Sequence, residues 1–157
     1  MLIVKICLIL LLFGIGIQDA KERKVYAFLF PLLGLMTAWI HWKTLGGYAM
    51  GIYSLTNLVL LITLLMGLLL IARLRGQKLI NHSMGSGDVA MLAVLTVAFP
   101  PLTYIALWLS AALFSLVLHV IFHRNSTIPF AGNLAILTAL ALGFDLFIFP
   151  SILYFQY

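Results

Sequence analysis

The sequence predicts an all-α, polytopic membrane protein with about six transmembrane helices. Of its 157 residues, 64% are hydrophobic and only 8% are charged, and the mean hydropathy is +1.19. A soluble domain of this length cannot bury so much apolar surface, so lipid must solvate much of the chain. The hydrophobic residues form six runs separated by short loops. We therefore expect a single membrane-embedded domain over residues 1–157.

Charged residues or prolines follow several of these runs: Asp19 closes the first, Arg73 follows the third, Pro100-Pro101 follows the fourth and Arg124 follows the fifth. The predicted spans lie at roughly 2–18, 25–40, 50–72, 87–99, 101–122 and 129–150.

The first run could be mistaken for a secretory signal. It has no basic segment before the apolar stretch, Lys5 interrupts it, and no small-x-small cleavage site precedes Asp19. We therefore interpret it as a permanent span.

The fourth span is unusually short. From Asp88 to Phe99 it covers about 18 Å of helix at about 1.5 Å per residue, whereas the hydrocarbon core is about 30 Å thick. Pro100-Pro101 then breaks or bends the chain. Three explanations stay open: the helix ends early, Asp88 lies below the headgroups, or the bilayer thins locally.

The basic residues predict the orientation. Because successive spans cross the membrane in opposite directions, the loops after spans one, three and five lie on the same side. These three loops contain seven of the nine Lys and Arg residues, and only Lys5 and Lys43 fall on the other side. The seven are Lys21, Arg23, Lys24, Arg73, Arg75, Lys78 and Arg124. The positive-inside rule makes their side cytoplasmic and puts both chain ends outside. The net charge of +5 indicates anionic lipid headgroups rather than nucleic acid as the partner, because the basic residues adjoin apolar runs.

Two of the four acidic residues, Asp19 and Asp88, lie at span ends on this same side. An ionisable group beside hydrocarbon is costly and therefore indicates function. If the two carboxyls share a water, one ionised partner can take its proton while the protonated partner polarises a peptide carbonyl. Such a pair hydrolyses peptides without a metal or a covalent intermediate.

Two segments could position a substrate strand near these acids. Gly85 and Gly87 flank Ser86 before Asp88, and we expect glycine there to allow backbone conformations closed to other residues. Ile128-Pro129-Phe130 returns to the same side and predicts a further extended stretch.

In combination, these segments resemble the prepilin peptidase family of membrane aspartic proteases. Gly85-Ser86-Gly87-Asp88-Val89 is similar to its Gly-x-Gly-Asp motif, and Asp19 followed by Arg23-Lys24-Val25 is similar to its first-aspartate segment. Ile128-Pro129-Phe130-Ala131-Gly132 resembles its Pro-Phe-Gly-containing stretch before the last span. The six-span layout also agrees, so the resemblance extends over the chain.

The resemblance implies that Asp19 and Asp88 are the catalytic pair. It also implies cleavage of the leader of type IV prepilin-like precursors, at the cytoplasmic face of a bacterial or archaeal membrane. The family usually has Lys where this chain has Ala90, and Pro-Asn where it has Tyr26-Ala27. These departures bear on the choice of substrate more than on the chemistry, because both acids are present.

We expect neither a metal nor another cofactor. Larger relatives carry a zinc-binding insertion with two Cys-x-x-Cys pairs and methylate the product, whereas Cys7 is the single cysteine here. We therefore expect no zinc and no N-methyltransferase activity. His119 and His123 have a metal-compatible helical spacing but no evident third ligand.

Two other functions stay open. A presenilin-like protease also uses Gly-x-Gly-Asp, although its first aspartate follows a tyrosine within a helix and Asp19 follows Gln18. A small transporter or scaffold could use the acids for protons or cations, although transporters place such groups near the midplane. The oligomeric state and the particular precursor are not predicted.

Overall fold

A computed structural model confirms the all-α fold. It describes residues 1–74, 76, 85–122, 130–147 and 152–154, which form six α-helices and a C-terminal 3-10 helix. The helices are α1 (Leu2–Glu22), α2 (Leu29–Leu45), α3 (Gly47–Leu74), α4 (Ser86–Leu95), α5 (Pro101–Phe122) and α6 (Phe130–Phe147), and the 3-10 helix is Ile152–Tyr154.

The protein is a membrane protein by the length and composition of its helices. Four of them, α1, α3, α5 and α6, are long and apolar enough to cross a bilayer. The other two are shorter, with 17 residues in α2 and 10 in α4. Large apolar side chains such as Leu10, Leu55 and Leu113 are exposed on the outside of the bundle, where lipid tails solvate them.

The centre of the bundle is α6. Half of its spanning window (50%) is buried by other parts of the protein, compared with 17% for α3 and 22% for α5. Small residues make this possible, because they let neighbouring backbones approach. The closest approach is to α1, where a Cβ added to Gly16 would lie 2.5 Å from Cγ1 of Ile136. On the other side, the Asn133 amide donates to Oγ of Ser115 on α5 (2.8 Å).

The two ends of the bundle have different chemistry. The C-terminal end of α1 and the N-terminal ends of α4 and α6 meet at one end, which we call the site end because it carries Asp19 and Asp88. At the opposite, distal end, Lys5 of α1 meets Asp145 of α6. The site end thus brings together the three segments that parity assigned to one side of the membrane.

The fourth span ends earlier than predicted. Residues 87–99 were expected to be one helix, but α4 stops at Leu95 and is followed by a turn. Thr96, Phe99 and Pro100 in this turn are buried. The tandem prolines supply no N–H groups and cannot continue the helix. The structure therefore shows an early helix end, one of the three explanations for the short span.

Side chains from α2 and α3 satisfy the carbonyls that this early end exposes. Nδ2 of Asn57 donates to the carbonyls of Thr96 (3.0 Å) and Phe99 (2.8 Å). Nδ1 of His41 lies 2.9 Å from the carbonyl of Val97, so this nitrogen carries the proton that is donated. Backbone groups at membrane depth require such partners, because lipid offers none.

Asn57→Leu is expected to destabilise the protein by about 2–6 kcal/mol, because it leaves two carbonyls without their donor, at about 1–3 kcal/mol each. Unfolding of the purified protein in mixed detergent micelles measures this. Thr56→Val is the control, since the exposed Thr56 hydroxyl donates only within its own helix, to Ile52. Equal effects of the two substitutions would contradict the assigned role of Asn57.

The C-terminal 3-10 helix packs into the distal end. Tyr154 is buried, with its ring centroid 5.8 Å from that of Phe99 and 5.7 Å from that of His41. The hydroxyl of Thr103 donates to the carbonyl of Leu153 (2.7 Å). This short segment therefore contacts the turn that ends α4, together with α2 and α5.

Candidate active site

The N-terminus of α4 positions Asp88. Gly85 is the N-cap residue and Asp88 is the third residue of the helix. Oδ2 of Asp88 accepts a hydrogen bond from the N–H of Gly85 (3.0 Å), which satisfies a donor that a helix start leaves free. Oδ1 of the same carboxylate accepts from the N–H of Ala131 (2.8 Å). Asp88 thereby joins the starts of α4 and α6.

Asp19 lies in the last turn of α1. The helix ends at Glu22, and the C-cap residue Arg23 has a left-handed conformation (φ 56°) and donates its N–H to the carbonyl of Asp19 (3.0 Å). The Asp19 side chain is buried, with 8% of the residue exposed. Its Oδ2 accepts a hydrogen bond from the N–H of Gly132 (2.7 Å). The first-turn amides of α6 thus hold a second carboxylate beside the first.

The two carboxylates are neighbours because their donors are consecutive residues. Ala131 and Gly132 follow each other in the first turn of α6, and consecutive α-carbons are about 3.8 Å apart. The negative charge of Asp19 acts on Asp88, and this repulsion opposes the arrangement. The N-terminal end of α6 offsets it, since its free N–H groups carry a partial positive charge. One helix start therefore binds both acids.

Within the described residues, Asp88 is the more exposed member of the pair. Asp88 and Gly87 are half-buried, whereas Gly85 and Ser86 are exposed. Asp19 lies deeper, between α1 and α6. A peptide approaching over Gly85 and Ser86 would therefore meet Asp88 first.

The expected role of the two motif glycines is wrong in one respect. Gly85 is extended (φ −71°, ψ 148°) and Gly87 is helical, conformations that other residues adopt equally. Among the described residues, the glycines with positive φ are Gly46 and Gly76. A helix N-cap needs no left-handed residue. What Gly85 provides is space, because a Cβ there would lie 3.1 Å from Oδ2 of Asp88.

Sequence reasoning missed the structural importance of Gly132. A Cβ on this residue would lie 2.9 Å from Oδ2 of Asp19 and 3.2 Å from the carbonyl of Gly16. The residue must therefore lack a side chain both to donate to Asp19 and to let α1 approach. Its presence in the Ile-Pro-Phe-Ala-Gly segment was the available signal.

Of the remaining predicted site residues, one lies near the two acids and the others lie outside the described residues. Phe130 is the first residue of α6, half-buried and packed against the core, whereas Ile128 and Pro129 lie outside the described residues. His119 is on α5, and its proposed pairing with His123 also extends beyond the described part. Within the ranges described, no group of three or more His, Cys, Asp or Glu side chains could hold a metal ion.

Comparison with protein-family models, with curated proteins and with solved structures gave no significant match to this chain.

Proposed function

We propose that the protein is a membrane aspartic endopeptidase that removes the leader from type IV prepilin-like precursors. One observation carries the proposal: Asp19 and Asp88, from distant parts of the chain, accept hydrogen bonds from the consecutive amides of Ala131 and Gly132. The resemblance of the surrounding motifs to prepilin peptidases supports the choice of substrate.

The reaction requires one proton shared by the two carboxyls. In the proposed reaction, one carboxyl is ionised and acts as the base, and the other is protonated and acts as the acid. The ionised carboxylate takes a proton from water, and the water oxygen attacks the scissile carbonyl. The protonated carboxyl then gives its proton to the leaving amide nitrogen as the C–N bond breaks. The amides of Ala131 and Gly132 hold both acids in place throughout, so little reorganisation is needed.

The proposed orientation puts the site end at the cytoplasmic face of a bacterial or archaeal membrane. Lys21, in the last turn of α1, and Lys24, just after it, are exposed at this end. Anionic headgroups attract such residues, and the leader of a membrane-inserted precursor lies at the same depth. Both chain ends would then lie at the opposite face.

The test is cleavage by the purified protein in liposomes that contain anionic lipid. Leader-bearing pilin-like peptides and S-adenosylmethionine are added, and the products are identified by mass spectrometry. We expect one cut where the leader meets the hydrophobic segment, and a new N-terminus without a methyl group.

The position of the cut separates the two protease hypotheses. Cleavage deep within the hydrophobic segment would favour a presenilin-like enzyme. An absence of cleavage across the peptide panel, with folded protein in the liposomes, would refute the proposal.

A further inference from the structure

A buried ion pair at the distal end has no part in the proposed reaction. Nζ of Lys5 lies 2.7 Å from Oδ2 of Asp145, with 14% of the lysine side chain and 0% of the aspartate side chain exposed. Ionisable groups within membrane helices are costly and usually functional. Replacing such a pair by apolar residues is often neutral or stabilising. Stability alone therefore gives a weak reason for these charges.

Asp145 connects the elements that carry the candidate active site. It belongs to α6, whose first turn holds both catalytic acids, and through Lys5 it contacts α1, which carries Asp19. Its Oδ1 also accepts from the N–H of Leu153 (3.3 Å). The adjacent Tyr154 packs against Phe99, in the turn that ends α4. The three helices that form the site are thus linked again at the other end.

The two connections between α1 and α6 are matched in length. At about 1.5 Å per residue, Lys5 and Asp19 lie about 21 Å apart along α1, and Asp145 and Gly132 lie about 20 Å apart along α6. The ion pair and the Asp19–Gly132 hydrogen bond therefore connect the same two antiparallel helices at opposite ends. Between these two contacts, the helices pack so closely that a Cβ added to Gly16 would lie 3.3 Å from the carbonyl oxygen of Gly132. If α1 slides along α6 at one of these contacts, the other contact is displaced as well, because packed helices move as units.

We propose that Lys5 and Asp145 are positioning residues that fix the register of α1 against α6 and so place Asp19 beside Asp88. This proposal deepens the proposed function and rests on it. A misplacement of about 1 Å at a reacting group lowers a rate by about 100-fold. Loss of the distal pair should therefore lower kcat while substrate binding at the opposite end is retained.

The test variant is the double substitution Lys5→Met with Asp145→Asn. It removes both charges, and the asparagine oxygen can still accept from Leu153. We expect kcat for leader cleavage to fall at least tenfold, with KM within twofold of the wild-type value. Lys5→Arg keeps the pair and should retain at least one third of the wild-type kcat. If the double variant fails to fold, Asp145→Asn replaces it, with the same expected loss.

A second readout does not depend on cleavage. The chain has three aspartates, so carboxyl-¹³C-aspartate labelling gives three NMR resonances, assigned by Asp→Asn variants. In the double variant, the Asp19 and Asp88 resonances should both shift while circular dichroism stays unchanged. Unshifted resonances overturn the positioning role whatever the rates, and an unchanged kcat in an active enzyme overturns it as well. A wild-type protein that cleaves nothing refutes the proposed function instead, and the resonances then decide the positioning role by themselves.

Discussion

Asp19→Asn and Asp88→Asn are each expected to lower leader cleavage by about 1,000-fold or more. General acid–base catalysis contributes about 10²- to 10⁴-fold, and each acid is needed, one to take a proton from water and the other to donate one. Asparagine keeps an oxygen that accepts from Ala131 or Gly132, so the fold should persist. The measurement is the cleavage rate in liposomes, with circular dichroism of each variant.

Glu22→Gln is the matched control. Glu22 is an exposed acid on α1, three residues after Asp19, and its neutralisation changes the net charge by the same amount. We expect its cleavage rate to stay within twofold of wild type. If either aspartate variant cleaved as fast as this control, the catalytic assignment would be wrong.

Gly132→Ala is expected to affect both activity and stability. Its new methyl group would lie 2.9 Å from Oδ2 of Asp19 and 3.2 Å from the carbonyl of Gly16. The first distance is shorter than carbon contacts normally are, and the second is tight against backbone that cannot rotate away. We expect a loss of about 1–3 kcal/mol of stability from overpacking. We also expect a fall of about 100-fold in cleavage from displacement of Asp19. Unfolding in detergent micelles and the liposome assay measure the two effects.

Gly143→Ala on the same helix is the comparison. A Cβ at Gly143 would have no neighbour within 4 Å, so alanine should leave activity unchanged. It should also stabilise α6 by about 0.5–1 kcal/mol, since glycine is a poor helix residue. If the two alanine variants behaved alike, the close contact at Gly132 would not contribute to activity or stability.

The sequence could predict the fold class and the shared end of the three motif segments. Hydropathy identified the helices, because lipid leaves no alternative to regular secondary structure. Parity then put Asp19, Asp88 and Phe130 at one end, and the structure brings the two acids to adjacent amides. Their pairing with Ala131 and Gly132 could not be predicted, since it depends on how closely α1 and α6 pack.

The sequence analysis did not predict two features of the structure, and each omission has a physical reason. The sequence analysis did not pair Asp145 with Lys5, although the number of spans between them places both at the same end and their charges are opposite. The early end of α4 was one of three possibilities. Choosing it required knowledge of Asn57, whose two hydrogen bonds to the turn after α4 link residues far apart in sequence. Hydropathy patterns contain no information about such contacts between helices.

The shared attachment of both acids to α6 has a consequence for inhibiting the proposed peptidase. A molecule that binds at the first turn of this helix and shifts its amides would displace Asp19 and Asp88 together. It would not need to resemble a cleaved peptide or compete for the water. Such a compound would act on backbone geometry, so a conservative change at either acid would give little resistance to it. The vulnerable element is one turn of main chain rather than the pair of side chains that it anchors.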